Sequence, residues 1–198
     1  RGNTESVRVR DEFNAEAMIA QKNSLQKILT KEMVAAVTNV PVDKINEHIE
    51  NNINQQGQYT LLYSWPTGNT KKIAGGQYEI AEYHSISIGF VKKITAEAFE
   101  QYYGTNDGVQ EQVNQMAQQE NFNKEVGTAE AKYLAGYAEE RKTKKLENVA
   151  TKAFWETPMN ALHVLANDAA FTITANMGDD ETLARERSVE VVNAILNP

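Results

Sequence analysis

Apolar residues in the first forty positions recur at helical spacing. In EFNAEAMIAQKNSLQKILTKEMVAAV, Met18, Leu25, Ile28, Leu29, Met33, Val34 and Val37 fall three, four or seven apart, which predicts one amphipathic helix over residues 12–38. Asn39 to Pro41 interrupts it. Val42, Ile45, Ile49 and Ile53 then make a second stripe that ends at Gly57, with Asp43 near its first turn. The expectation is an N-terminal helix pair joined by a tight turn. Ahead of it, SVRVR alternates as the end of a strand would.

The texture changes at QYTLLYSW. β-Branched and aromatic residues become frequent, PTGNT predicts a turn, and Tyr83 to Val91 alternates cleanly. His84, Ile86, Ile88 and Phe90 fall on one face of that strand, with Ser85, Ser87 and Gly89 on the other. From Thr95, a predicted N-cap with Glu97 in the following turn, the chain reads mostly as helix. After a turn at GTNDG, the stretch from Val109 to Phe154 carries Val113 and Met116, then Tyr133, Leu134 and Tyr137, then Leu146 and Val149, in broken heptad-like steps. So thin a stripe on so long a helix needs a partner helix, which makes these seven residues the candidate oligomer interface. Pro158 forces a boundary. MNALHVLANDAAFTITANM reads as a short helix or strand, and Asp179 or Asp180 caps a last helix with Leu183, Val189, Val192, Ile195 and Leu196 on its packing face.

The predicted fold class is α+β and mainly helical: an N-terminal helix pair, a central short antiparallel β segment and long C-terminal helices. It divides into 1–94, a helix pair plus β segment; 95–157, a polar coiled-coil-like region; and 158–198, a packing element and helix.

Composition narrows the function classes more than the fold. With 41% hydrophobic and 24% charged residues the chain has enough apolar material for a folded core. A net charge of -7 disfavours nucleic acid as a partner. The absence of cysteine excludes disulfides, thiol nucleophiles and thiolate metal sites. No apolar run approaches the roughly 20 residues that span a bilayer. The sequence starts at Arg1, which suggests a processed product or an excised piece.

Candidate chemistry is sparse. His48, His84 and His163 are far apart and none belongs to a metal motif. PTGNTKK, residues 66–72, has one glycine and no helix after it, so a hairpin turn accounts for it better than a phosphate loop. Asp179, Asp180 and Glu181 suit a helix start. Glu139 and Glu140, beside Arg141 and Lys142, read as a solvated face. With no GxSxG and no linked acid–base pair, the expectation is no enzyme, no cofactor and no metal. The helix, turn, helix, hairpin order of residues 25–65 resembles a winged helix in outline. Asp43, Glu47 and Glu50 against Lys44 alone make Val42 to Gln56 a poor groove reader, so DNA binding ranks third.

Taken together, LQKILTKEMVAAVTNVPVDKINEHIENNIN, then HSISIGFVKKI, then AEAFEQ leading to GTAEAKYLAGYAEERKTKKL resemble the second half of a band-7 (SPFH) domain, the stomatin, prohibitin and flotillin superfamily. The resemblance covers about residues 7–150. Residues 57–82 and the tail after Pro158 have no counterpart in it, and the first β half of the domain is absent. It implies a non-enzymatic scaffold that forms homo-oligomers, binds other proteins and associates with a membrane through a segment absent from this chain. The alternative is a structural subunit of a particle or filament, such as a virion or secretion apparatus.

Overall fold

The C-terminal third holds runs that are apolar on both faces, KAFWET, ALHVLA and AAFTITAN, and short runs of that kind bury well as strands covered from both sides. A computed structural model describes residues 6–51, 59–105, 136 and 140–198, and there these runs are the strands β5 (Lys152–Thr157), β6 (Ala161–Ala166) and β7 (Ala169–Asn176). They join β1 (Asn46–Asn51), β2 (Tyr59–Ile73), β3 (Tyr78–Lys93) and β4 (Lys142–Lys145) in one seven-stranded sheet of order β1-β2-β3-β7-β6-β5-β4. Every neighbouring pair is antiparallel. Strands from all three sequence segments therefore share this sheet.

The helices are short and pack on it. Those with described bounds are α1 (Ala15–Ala20), α2 (Lys31–Thr38), α3 (Ala96–Tyr103) and α4 (Glu181–Leu196). One face of the sheet presents Leu61, Tyr63, Ile86, Ile88, Trp155, Leu162, Val164, Phe171 and Ile173, all buried in the main core beneath α1, α2 and α4. The other face is apolar at only one end, where Phe154, Leu165 and Ala170 meet Phe99 and Tyr103 of α3. That opposition follows from the two-residue repeat of a strand: Trp155 and Phe154 are neighbours in sequence and lie in different cores.

Several expectations are corrected. The protein is not mainly helical, and among the described residues nothing forms the coiled coil expected between residues 95 and 157. Residues 142–145 and 152–157 of that span are β4 and β5, because Phe154 and Trp155 each find an apolar layer only when the chain is extended. The single helix over 12–38 is α1, a 3₁₀ turn at Leu25–Lys27 and α2. Asn14 and Thr30 each cap a new start, with Asn14 Oδ1 accepting from Ala17 N and Thr30 Oγ1 from Met33 N. The second helix of the expected pair is a 3₁₀ turn at Val42–Lys44 followed by β1. Ile45 and Ile49 satisfy both a four-residue and a two-residue repeat, and β2 supplies the hydrogen-bonding partner that selects the strand.

The central β segment is long rather than short: Tyr83–Val91 is part of a sixteen-residue β3. Phe90 leaves the alternation, because its φ of 57° and the register shift between Gly89 and Lys92 turn it outward. The hairpin reverses at Ala74–Gly76, and the PTGNT segment is instead an irregularity within β2 between Pro66 and Thr70. MNALHVLANDAAFTITANM resolves into the β6–β7 hairpin. No helix among the described residues is long and apolar enough to cross a membrane.

Candidate functional site

A histidine in the middle of ALHVLA has to bring its hydrogen-bond partners with it, since burying an imidazole without them is costly. His163 lies on the α3 side of β6, where cross-strand register sets it between Phe154 of β5 and Thr172 of β7. Its Nδ1 is 2.9 Å from Thr172 Oγ1, and its Nε2 is 3.0 Å from Glu156 Oε2. Glu156 lies two residues beyond Phe154 on the same face of β5, and its Oε2 also accepts from Arg141 Nε at 2.8 Å. Arg141 donates further to the carbonyls of Thr105, at 2.7 Å, and Tyr103, at 3.3 Å. The guanidinium thus neutralises a buried carboxylate and satisfies carbonyls at the C-terminal end of α3, where a cation also suits the helix dipole.

Tyr103 closes the cluster. Its ring stacks on His163 with centroids 4.2 Å apart and planes 21° from parallel, and its hydroxyl hydrogen-bonds to Thr172. The helix that carries it starts at Thr95, whose hydroxyl oxygen accepts from Ala98 N at 3.2 Å, and stops at Gly104. A Cβ at Gly104 would lie 2.6 Å from the Glu100 carbonyl and 2.9 Å from the Phe154 ring, so the turn comes closer to β5 than any other residue permits. Lys92 completes the surroundings, its ammonium 4.6 Å from the Tyr102 ring centroid and 5.5 Å from that of Tyr103.

Burial dominates the titration of these groups. It pushes the Tyr103 phenol up and the Lys92 ammonium down. It lowers His163 too, against the opposing pull of Glu156, with Arg141 and Lys92 adding to the depression. A neutral His163 with its proton on Nε2 fits the contacts: Nε2–H donates to Glu156 Oε2, and Nδ1 accepts from Thr172.

This state has a pH signature. The folded chain holds the His163 pKa below that of the unfolded chain, about 6.5, so the unfolded state binds more protons as pH falls from that value. Thermal melts between pH 7.5 and 5 are expected to show stability falling with acidification and levelling below the folded-state pKa. In His163→Gln that slope is expected to flatten; an unchanged slope would assign the effect to other groups.

Chemically, Glu156, His163 and Thr172 form a carboxylate–imidazole–hydroxyl chain. Thr172 is only 5% exposed and hydrogen-bonds to Tyr103, so its hydroxyl is engaged within the cluster rather than open to solvent. The charge-compensated cluster instead fastens α3 to the middle of the sheet. None of its five members stood out as a site in the sequence. The sequence places Arg141 on a solvated face, whereas in the structure it is buried. The available signals were a histidine inside an apolar run and a glutamate in phase with Phe154.

Of the candidate interface residues, Val113, Met116, Tyr133, Leu134 and Tyr137 lie outside the described residues. Leu146 is partly buried against the main core, and Val149 is 2% exposed and bridged to Val7. Among the described residues no cluster of histidine and acidic side chains is arranged to hold a metal ion. Asp180 caps α4, its Oδ1 accepting from Leu183 N at 2.8 Å. His84 stands edge-on to Trp65, and His48 is exposed on β1 beside Glu50.

Among the described residues, the most exposed apolar surface lies on the β2–β3 hairpin. β1 pairs with β2 only as far as Ser64, and β7 pairs with β3 only from Ser85. Beyond those points, among the described residues, the two strands pair with each other alone, forming an arm from about Pro66 to Tyr83 that is roughly 25 Å long at ~3.3 Å per residue. Thr67 and Thr70 side chains hydrogen-bond across it to Glu82 and Glu79. Ile73, Tyr78 and Ile80 share one face, which prolongs the core face of Ile86 and Ile88 past the helices; Tyr78 is 63% exposed. Comparison with protein-family models, with curated proteins and with solved structures gives no match, and nothing in those comparisons bears on the band-7 resemblance.

Proposed function

We propose that this chain is a structural subunit that assembles with further copies of itself, using the β2–β3 arm as a contact. The observation that carries this is the arm's apolar face, Ile73, Tyr78 and Ile80, held out beyond the sheet. A two-stranded ribbon is marginal in water without a third layer, and exposed aromatic and branched side chains on it are suited to burial against another protein. Lys71 and Lys72 balance Glu79 and Glu82, so the arm is neutral and meets no repulsion from a body of net charge -7. The buried Arg141–Glu156–His163 cluster fits a rigid building block better than a catalyst, because its reactive groups satisfy one another.

The test is the light-scattering mass of the full chain across concentration. Mass is expected to rise above that of a monomer. The triple variant Ile73→Ser, Tyr78→Ser, Ile80→Ser is expected to keep its melting temperature and to need at least tenfold more protein to assemble. That follows from the roughly 1.5–3 kcal/mol gained by fully burying one such side chain. A monomer at every concentration would sink the proposal. A parallel series with liposomes separates a free-standing assembly from the membrane scaffold that the band-7 resemblance implies.

A further inference from the structure

The two edges of the sheet carry opposite charge. β1 reads NEHIEN and exposes all six residues, with Glu47 and Glu50 its charged acids. β4 reads KTKK, with Lys142, Lys144 and Lys145 exposed. Lysines on an edge commonly block pairing with another strand, and they do so against a neutral or basic edge. Against an acidic edge the same lysines select a partner instead.

The geometry is more specific than the net charge. Six antiparallel steps separate β1 from β4, so the two strands run in the same direction. Glu47 is paired with Tyr63 and so lies on the main-core side of the sheet, whereas Glu50, paired with Thr60, lies on the α3 side. Lys142 and Lys144 share the side of Trp155, and Lys145 shares the side of Phe154. Acids three residues apart, one on each side, thus stand at one edge, and lysines three apart, one on each side, at the other. A single parallel register brings both pairs together.

We infer that the sheet continues from one copy into the next, β1 of one copy docking beside β4 of its neighbour with Glu47 next to Lys142 and Glu50 next to Lys145. This rests on the self-assembly proposed above and names its polar contact. Pairing by two-fold symmetry would set acids against acids or lysines against lysines, which strand pairs disfavour. Among the described residues, the existing partners leave these groups available. The His48–Glu50 and Lys145–Glu147 contacts, at 3.7 and 3.4 Å, are exposed at both ends, and Glu47 keeps acceptor capacity beyond its bond to Tyr63. A contact between unlike edges is heterologous, so it closes into a ring or runs on as a filament.

Two charge-reversed variants of the full chain test this: Glu47→Lys with Glu50→Lys, and Lys142→Glu with Lys145→Glu, each checked for native circular dichroism. Each alone is expected to lose all mass above monomer at concentrations where the unaltered chain assembles. Mixed in equal amounts they are expected to recover it, since each then presents the edge that the other needs. Assembly of either variant alone at the level of the unaltered chain, or a mixture that stays monomeric, would overturn the edge contact and leave self-assembly standing. An unaltered chain that is monomeric throughout would overturn both.

Discussion

Arg141→Met is expected to lower the unfolding free energy by about 3–5 kcal/mol, the usual result of removing one member of a buried ion pair. The reason lies in what remains. Glu156 loses the Arg141 guanidinium in a site where its side chain is 8% exposed, and the carbonyls of Tyr103 and Thr105 lose this donor too. His163 is the group that responds. Removing the cation, which lowers the His163 pKa, while Glu156, which raises it, stays in place favours the imidazolium, so the His163 pKa is expected to rise. Stability that falls on acidification in the native chain should then fall less, or rise, in the variant. Urea unfolding at pH 5.5 and 7.5 reads both effects. A loss below about 1 kcal/mol at pH 7.5 would mean that the guanidinium contributes no more than an exposed pair does. Lys at this position is expected to recover only part of the loss, because it keeps the charge without the planar fork that reaches Glu156 and two carbonyls together.

Trp155→Ala is expected to cost about 3–5 kcal/mol by a different route. The indole is 2% exposed in the main core, and its Nε1 donates to Glu181 Oε1 at 2.9 Å, linking the middle of β5 to the first turn of α4. Alanine would leave a cavity between sheet and helix and remove the donor to the exposed Glu181 carboxylate. Trp155→Phe separates the contributions: it keeps most of the ring and is expected to cost about 1–2 kcal/mol for the hydrogen bond and the smaller volume. Equal losses in the two variants would show that the Glu181 contact, rather than packing, dominates. Since α4 also packs on α2, the alanine variant is expected to loosen both helices, measurable as faster amide exchange in residues 31–38 and 181–196.

The sheet accounts for much of what was misread. Val42, Ile45 and Ile49 sit at intervals that a helix face accepts, and so do Leu146, Val149 and Ala153. The first set runs through a 3₁₀ turn at Val42–Lys44 into β1, where only Ile49 is in the strand, because β2 lies alongside; the second runs through a turn into β5 because β6 does. Pro158 was legible as a boundary, but what it separates was not. β5 and β6 on either side of it pair with each other, so the boundary is a hairpin within one sheet rather than the edge of a segment.

By itself the sequence determined the features whose partners lie within a few residues: Thr95 as one helix cap and one of Asp179 and Asp180 as another, α3 and α4 after them, and the inward face of Ile86 and Ile88. Only the tertiary structure decided which ambiguous runs became strands. It also decided that Tyr103, Arg141, Glu156, His163 and Thr172 would meet, and that opposite charges would stand on opposite edges of one sheet. The physical reason is range. A cap or a helical turn is satisfied within four residues, whereas a strand takes its hydrogen bonds, and a buried charge its counterion, from chain far away in sequence.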